Sequence, residues 1–270
     1  MTVPKPAAAG TAFRIALGVE YKGCAFHGWQ AQGSTRTVQR TLEAALSRVA
    51  NAQILATCAG RTDSGVHATG QVVHFDSPVV RSPDAWVRGT NSHLPSDVRV
   101  TWCVEVDEHF HARHSAYARR YRYWILNQAV RSALWSGLVT WYPHPLDVEP
   151  MQRAAQGLLG ERDFSAYRAS SCQSATAMRH VDFVEVDRQG PWVTIDIQAN
   201  AFLHHMVRNI AGALLAVGNG RAPHSWPGEV LASRDRTQGA ATAPPDGLYL
   251  VGVRYPRRWR LPPPEAACVP

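Results

Sequence analysis

Hydrophobic and polar positions in the first 110 residues alternate with the period of strands or recur with the spacing of a helix. The helical stretch "TVQRTLEAALSRVA" places Val38, Leu42 and Leu46 on one apolar stripe, with Thr37 as a plausible N-cap. The pattern predicts the order strand, helix, strand, helix, strand. These elements are a strand at 13–21, a helix from 38, a strand at 71–75, a helix and loop at 82–100 and a strand at 98–106.

A second set of elements with a similar order follows. The predicted elements are a strand at 119–126, a helix at 148–160, strands at 180–188 and 191–199, a helix at 204–220 and a strand at 247–255. This repetition of order favours an α+β fold with two similar α/β halves, 1–115 and 116–270. We expect antiparallel sheets joined across a central cleft, with helices on the outer faces. Residues 1–11 are expected to form a flexible leader, and the tail 262–264 to be frayed.

Composition and charge narrow the class of protein. With 45% hydrophobic and 18% charged residues in a chain of 270, the sequence is typical of a globular protein with a real core. The net charge of +7 favours a polyanionic partner, because cationic surfaces attract phosphate backbones. Of the 28 basic residues only Lys5 and Lys22 are lysines. This ratio suits phosphate contacts, but codon bias explains it equally well.

The cysteines and the apolar runs indicate the cellular compartment of the protein. The chain has five scattered cysteines and no C-x-x-C pair, which indicates reduced thiols rather than disulfides or a structural zinc site. No apolar run reaches about 18 residues, and the first residues do not resemble a secretory signal. We therefore expect a cytoplasmic protein without membrane segments.

The turn-rich stretch "CAGRTDSGVHATGQVVHF" (58–75) contains Asp63 between small residues, two positions after Arg61. Aspartate is common in such turns because its side chain bonds its own backbone. However, a carboxylate beside a guanidinium is favoured in its ionised form and suits a nucleophile better than a proton donor. Both interpretations stand at the level of the residues alone.

Two further runs carry unusual charge. In "NAFLHHMVRNIAG" (200–212), Arg208 shares a helix with many apolar neighbours and needs a carboxylate partner if it is buried, for which Asp63 is our preferred candidate. An arginine at the helix edge is the alternative. In "FHARHSAYARRYRYWIL" (110–126), arginines alternate with tyrosines, as in proteins that bind phosphates and stack unpaired bases. Tyrosine is also common in strands for packing reasons.

The sequence gives little support for a metal or a nucleotide cofactor. The twelve histidines match no HExxH motif, and no cysteine or carboxylate cluster completes a tetrahedral set. There is also no G-x-x-x-x-G-K-[ST] or G-x-G-x-x-G loop. We expect neither metal nor organic cofactor. A metal-dependent hydrolase that uses the histidines and a non-catalytic RNA-binding module remain as rival interpretations.

With these runs in hand, the chain resembles the A-type tRNA pseudouridine synthases, the TruA family. The matching pieces occur in the family's order from Ile15 to Pro256. They are "YKGCAFHGWQAQ", "AGRTDSGVHATGQVVHF", "FHARHSAYARRYRYWILN", "DFSAYRASSCQS", "NAFLHHMVRNIAG" and "APPDGLYLVGVRYP". The "GRTD" run followed by G-V-H is highly specific.

The resemblance implies isomerisation of uridine to pseudouridine at positions 38 to 40 of tRNA, without cofactors, by a homodimer that holds one tRNA across both subunits. It also implies that Asp63 is the catalytic aspartate, Arg208 its ion-pair partner and Tyr121 the active-site tyrosine, stacking on a flipped base and helping to remove its C5 proton. Whether Asp63 attacks C1′ or the base is left open. The expected substrate and RNA-binding residues are Arg61, His67, Gln71, Arg113, Arg119, Arg120 and Leu248.

Overall fold

The computed structural model describes residues 13–263, and a single mixed β-sheet forms its centre. The order of the main strands across the sheet is β4-β1-β3-β10-β5-β9-β8-β7, while β2 pairs with β3 and β6 with β5. The strands are β1 (Phe13–Tyr21), β2 (Thr57–Cys58), β3 (His67–Ser77), β4 (Val98–Val106), β5 (Ala118–Asn127), β6 (Thr140–Tyr142), β7 (Gly160–Asp163), β8 (Met178–Gln189), β9 (Trp192–Ala199) and β10 (Leu248–Arg254).

The helices begin at residues that suit helix starts. Ser82 caps its helix by accepting a hydrogen bond from the Ala85 backbone, and the Asp147 side chain accepts one from the Glu149 backbone. Thr37 occupies the predicted N-cap position, but its side chain makes no cap bond. The α-helices of the described residues are α1 (Val38–Ala50), α2 (Pro83–His93), α3 (Val148–Gln156), α4 (Met206–Gly218) and α5 (Trp226–Ser233).

The two predicted halves share this one sheet, joined by a parallel pairing of β3 with β10. His67 lies opposite Tyr249 in this pairing, and Ala68 opposite Leu250. Gly70 permits the close approach of the strands, because a Cβ there would lie 2.5 Å from the Val251 carbonyl oxygen. The strands up to Val106 thus lie on one side of the junction, and those from Ala118 on the other.

The two faces of the sheet are packed differently. Residues from all five helices join the inward-facing strand residues in one core, to which β5 contributes Tyr121, Tyr123 and Ile125. Trp124 and Leu126 point to the opposite face, where they form a small cluster with residues of β10 and of the 135–139 segment. The helices therefore cover one face.

The α+β class is confirmed. The pairing of β10 with β3 joins the antiparallel sheets of the two halves into one, and the helices of both halves pack on one face of it. The predicted helix at 148–160 ends at Gln156, and β7 begins at Gly160. The leader 1–11 and Pro264 lie outside the described residues. Within residues 13–263, no helix has the length and apolar character needed to cross a bilayer.

Candidate active site

The loop between β2 and β3 presents Asp63 at the junction of the two halves. The Asp63 carbonyl accepts a hydrogen bond from the Val66 backbone at 3.1 Å, which closes a turn in which Gly65 has φ +81°. The Trp29 backbone donates to the Thr62 carbonyl at 3.0 Å, which ties the loop to the segment before α1. The turn chemistry therefore fixes the backbone that carries Asp63.

Buried polar side chains support this loop from below. Gln71 donates from Nε2 to the Gly60 carbonyl at 2.7 Å and to the Tyr21 hydroxyl at 3.3 Å. The Tyr21 hydroxyl also pairs with Thr62 Oγ1 at 2.8 Å. Because Gln71 is fully buried, it positions the loop and does not form part of the exposed surface.

The Asp63 carboxylate meets three basic side chains from the other half. Arg208 Nη1 lies 3.5 Å from Oδ2, His205 Nε2 lies 3.4 Å from Oδ2, and His204 Nε2 lies 3.2 Å from Oδ1. Arg208 also donates from Nε to the Ala243 carbonyl at 2.8 Å, which fixes its guanidinium. The Asp63 side chain is 24% exposed, so it remains accessible to a substrate.

The sequence analysis did not assign His204 and His205 to this cluster. His204 Nδ1 is hydrogen-bonded to Ser171 Oγ at 3.0 Å, and the two imidazole ring centroids are 4.0 Å apart. His205 caps α4 with φ 62°, a left-handed conformation that is uncommon outside glycine. Their closeness in sequence to Arg208 was the available signal, although both histidines lie in the turn before α4, which begins at Met206.

Tyr121 is buried in the floor of the same site. Its ring packs edge-on against Phe202, with centroids 5.1 Å apart. Burial raises the pKa of the Tyr121 hydroxyl, and the nearby charge of Asp63 raises it further. The hydroxyl is therefore neutral at physiological pH.

A cleft of about 1250 Å³ opens above these residues. Its walls come from both predicted halves, and it is large enough for a nucleoside. The lining includes Arg61, Asp63, Arg113, Tyr121, Arg208 and Leu248.

Three of the predicted RNA-binding residues, Arg61, Arg113 and Leu248, line this cleft but differ in exposure. Arg61 and Arg113 are exposed on its walls and are available to phosphates. Among residues 13–263, the basic side chains in contact with the Asp63 carboxylate are Arg208, His204 and His205, and not Arg61. Leu248 is buried but contributes an apolar part of the lining.

Arg119 also lines the cleft, but its guanidinium points into the protein. It is 9% exposed and donates to several backbone carbonyls, including those of Ala59 at 3.2 Å and Asn200 at 3.0 Å. Arg119 thus links the loop of Asp63 to the segment before α4. These bonds suit a positioning role rather than phosphate binding.

His67 and Arg120 lie away from the cleft, so the expectation of direct RNA contact is revised for both. His67 is fully buried, stacks on Tyr249 at 4.5 Å and accepts a hydrogen bond from the Gly23 backbone; burial lowers its pKa to about 4. Arg120 points to the opposite face of β5, where it binds Asp196. The alternation along β5 explains this, because Arg120 and Tyr121 must face opposite sides.

The Asp63 cluster also bears on the question of a metal. The side-chain donor atoms of Asp63, His204 and His205 lie within 4.8 Å of one another. However, the Arg208 guanidinium already contacts the same carboxylate, and its positive charge opposes the binding of a divalent cation there. We therefore interpret the cluster as an acid–base group.

Comparisons with known proteins agree with the matching runs. The model of a family described as tRNA pseudouridine synthase matches residues 18–115 and 154–256. A "tRNA pseudouridine synthase A" from Enterobacter sp. (strain 638) is 56% identical over 251 residues, 93% of each chain. The enzyme of the same name from Salmonella newport is 56% identical over 252 residues, again 93% of each. A crystal structure of the archaeal box H/ACA sRNP Nop10-Cbf5 complex is similar with a TM-score of 0.33 and 12% identity, over 83% of this chain and 59% of that one.

Proposed function

The chain belongs to the tRNA pseudouridine synthase family, and we propose that Asp63 is its nucleophile and that uridines 38, 39 and 40 of the anticodon stem and loop are its targets. It isomerises uridine to pseudouridine in tRNA. The reaction breaks the bond between N1 and C1′ and joins C5 to C1′. No redox change or external energy is required.

The proposed role of Asp63 as nucleophile follows from the bond changes at C1′. C1′ loses N1 and gains C5, so positive charge develops on the sugar at C1′. An ionised carboxylate is suited to attack or stabilise that carbon. We therefore propose that Asp63 acts at C1′ rather than on the uracil ring.

The observation that carries this proposal is the contact between Asp63 and Arg208 across the two halves. The carboxylate has a single long contact with the guanidinium and stays partly exposed to the cleft. Such preorganised charge typically contributes a few kcal/mol to catalysis, since it needs no reorganisation during the reaction. Tyr121 would stack on the base while it turns.

Access to the uridine requires base flipping, because a stacked nucleotide cannot present C1′ and C5 to the cleft. Flipping costs a few kcal/mol, and phosphate contacts offset it. Arg61 and Arg113, exposed on the cleft walls, support this part of the proposal. Leu248 would pack against the flipped nucleoside.

We also propose a cytoplasmic homodimer that holds one tRNA across both subunits, each built from halves 1–115 and 116–270. The cleft volume suits one nucleoside, whereas the anticodon arm is far larger, so a second subunit would supply further phosphate contacts. Sedimentation of the protein with and without tRNA tests the number of subunits.

The target positions are tested with unmodified tRNA transcripts in which one uridine at a time, at 38, 39 or 40, is replaced by cytidine. Pseudouridine is mapped by chemical derivatisation, because the isomer has the same mass as uridine. We expect loss of the signal at the replaced position alone. Modification outside these three positions would contradict the proposed site, and binding without modification would favour a non-catalytic module.

A further inference from the structure

Three arginines after the last strand have no part in the proposed reaction. Arg257, Arg258 and Arg260 follow β10 in the run "RYPRRWRL" (254–261). All three residues are exposed. Within residues 13–263, none of them makes an ion pair with a carboxylate. Over that range the three residues, here called the arginine strip, therefore carry uncompensated positive charge.

The segment that carries the strip has a defined backbone. A short 3-10 helix covers residues 257–259, and the Arg260 backbone N–H donates to the Arg257 carbonyl at 3.0 Å. Arg260 has φ +50°, a left-handed conformation that is uncommon outside glycine. The Trp259 ring packs edge-on against Phe110, with centroids 5.3 Å apart. The arginines thus project from a fixed turn.

The arginine strip lies on the same side of the sheet as the active site. Tyr255, Trp259 and Leu261 pack against the core that also contains Tyr121. This core fills the helix-covered face of the sheet, whereas the Trp124 cluster lies on the other face. The chain after β10 therefore turns onto the face that carries Asp63 and the cleft.

A hydrogen bond joins this segment to one wall of the cleft. The Tyr255 hydroxyl donates to the Ala112 carbonyl at 2.6 Å. Ala112 directly precedes Arg113, which is exposed and lines the cleft. The arginine strip and Arg113 thus belong to neighbouring segments, and together they extend the positive charge of the cleft wall outwards.

The strip is close enough to the active site to meet the same RNA arm. Arg254 lies opposite Ala118, and Tyr121 follows three residues later along β5. Strand residues are spaced about 3.3 Å apart, so the end of β10 is about 10 Å from Tyr121. Successive phosphates of one strand in a duplex rise by roughly 3 Å. The strip therefore lies within a few nucleotides of a uridine held above Tyr121.

An exposed tyrosine lies beside the end of β10. Tyr117 is 57% exposed, and its backbone N–H donates to the Arg254 carbonyl at 3.0 Å. Arginines attract any polyanion, whereas an open aromatic face stacks on unpaired bases. The combination of exposed arginines with an exposed ring favours RNA over an acidic protein or an anionic membrane.

We propose that the arginine strip and Tyr117 form a second RNA-binding surface, which holds the part of the anticodon arm that leaves the cleft past Arg113. The inference rests on the proposed function, in which the target uridine belongs to that arm. The strip supplies phosphate contacts, and Tyr117 stacks on an unpaired base of the loop. These residues lie outside the lining of the cleft, so they act on how the RNA is held.

The test measures binding of two RNAs, an unmodified tRNA transcript and its isolated anticodon stem and loop. The variant combines Arg257→Gln, Arg258→Gln and Arg260→Gln. We expect its affinity for both RNAs to fall by about 10-fold at physiological salt. The slope of log K against log salt should decrease by about 2 to 3, and by about 1 in each single variant. Arg88→Gln, which changes an exposed arginine of α2, is the control and should retain the parent slope.

The tyrosine is tested by separating stacking from charge. Tyr117→Ser should weaken binding of both RNAs by about 10-fold, the usual effect of losing one stacked base. The salt slope should stay that of the parent, because stacking releases no counterions. Tyr117→Phe keeps the ring and should bind like the parent. A binding loss in Tyr117→Phe equal to that in Tyr117→Ser would contradict the stacking role.

Several outcomes would overturn the surface. These are an unchanged affinity and slope in the triple variant, a loss confined to the full tRNA, which would place the strip against another arm, or an equal change of slope in Arg88→Gln. Thermal unfolding followed by circular dichroism shows that each variant is folded. Failure of the proposed function is separate: the parent would then form pseudouridine outside positions 38 to 40, while the binding differences still report on the strip.

Discussion

Two aspartates, Asp63 in the cleft and Asp196 on the face of the sheet opposite the helices, bind arginines in contrasting ways. Asp196 accepts two bonds from Arg120, at 2.7 and 2.6 Å, and another from Arg122 Nε at 2.9 Å, and its side chain is 7% exposed. Within residues 13–263, Asp63 contacts one arginine, Arg208, at 3.5 Å, and its side chain is 24% exposed. The Asp196 carboxylate is largely occupied by its two arginines, whereas the Asp63 carboxylate remains partly exposed to the cleft.

The contrast separates an ion pair that stabilises the fold from the pair that, in the proposed function, holds the nucleophile. Bidentate arginine–carboxylate pairs are strong and geometrically fixed, so Asp196 has little capacity left for a ligand. Asp63 contacts Arg208 and two histidines at 3.2–3.5 Å, but its side chain stays 24% exposed and lines the cleft. Sequence patterns do not distinguish these cases, because both pairs join residues distant along the chain.

The first expected difference is in stability. Asp196→Asn should lower the free energy of unfolding by about 3 kcal/mol, since it leaves two guanidinium groups without their partner. Asp63→Asn should change it by less than about 1 kcal/mol, because the long contact is partly exposed. Urea unfolding of both variants measures this, and equal losses would remove the distinction.

The second expected difference is in turnover. Arg208→Ala should lower kcat by about 10²- to 10³-fold while tRNA affinity changes only slightly, because the guanidinium acts on the carboxylate rather than on the phosphates. Arg120→Ala, on the opposite face, is the control and should retain kcat per folded molecule. Equal losses of kcat and affinity in Arg208→Ala would count against the ion pair.

The third expected difference concerns phosphate contacts. Arg61→Ala and Arg113→Ala should each weaken tRNA binding and reduce the slope of log K against log salt by about 1, since each removes one phosphate contact. Arg122→Ala should leave the slope unchanged, because its guanidinium binds Asp196. Filter binding from low to high salt gives the slopes. An unchanged slope in the two cleft variants would argue against phosphate contacts there.

The smallest expected effect is that of a chelator. Turnover should be the same after dialysis against EDTA, because the positive charge beside Asp63 is that of Arg208 and not that of a metal. Mass spectrometry of the dialysed protein provides the control for metal content. Loss of turnover that zinc restores would instead favour a metal role for the histidines.

The long elements could be predicted from the sequence. The bounds predicted for β1 and β4 agree with the structure, because each strand has nine residues with a clear apolar pattern. The strands β2, β6 and β7 have two to four residues, which is too short for a hydrophobic period to be recognised. Each of them pairs with a longer strand. The helix α5 was missed because "WPGEVLAS" contains proline and glycine.

The candidate site was predictable in part. An arginine among apolar neighbours signals a buried partner, and the contact of Arg208 with Asp63 agrees with that expectation. The positions of the two histidines could not be predicted. That of His205 depends on a left-handed backbone, and that of His204 on a hydrogen bond to Ser171. His67 carried no signal of its burial, because its environment comes from the parallel pairing with β10.

The most direct test of the central claim is a single-turnover reaction of Asp63→Asn with unmodified tRNA, at enzyme concentrations that saturate binding. Pseudouridine is then quantified by chemical derivatisation beside the parent enzyme. We predict parent-like tRNA binding and no product above background, because the amide carries no charge to act at C1′. Product formed at a rate close to that of the parent would contradict the account.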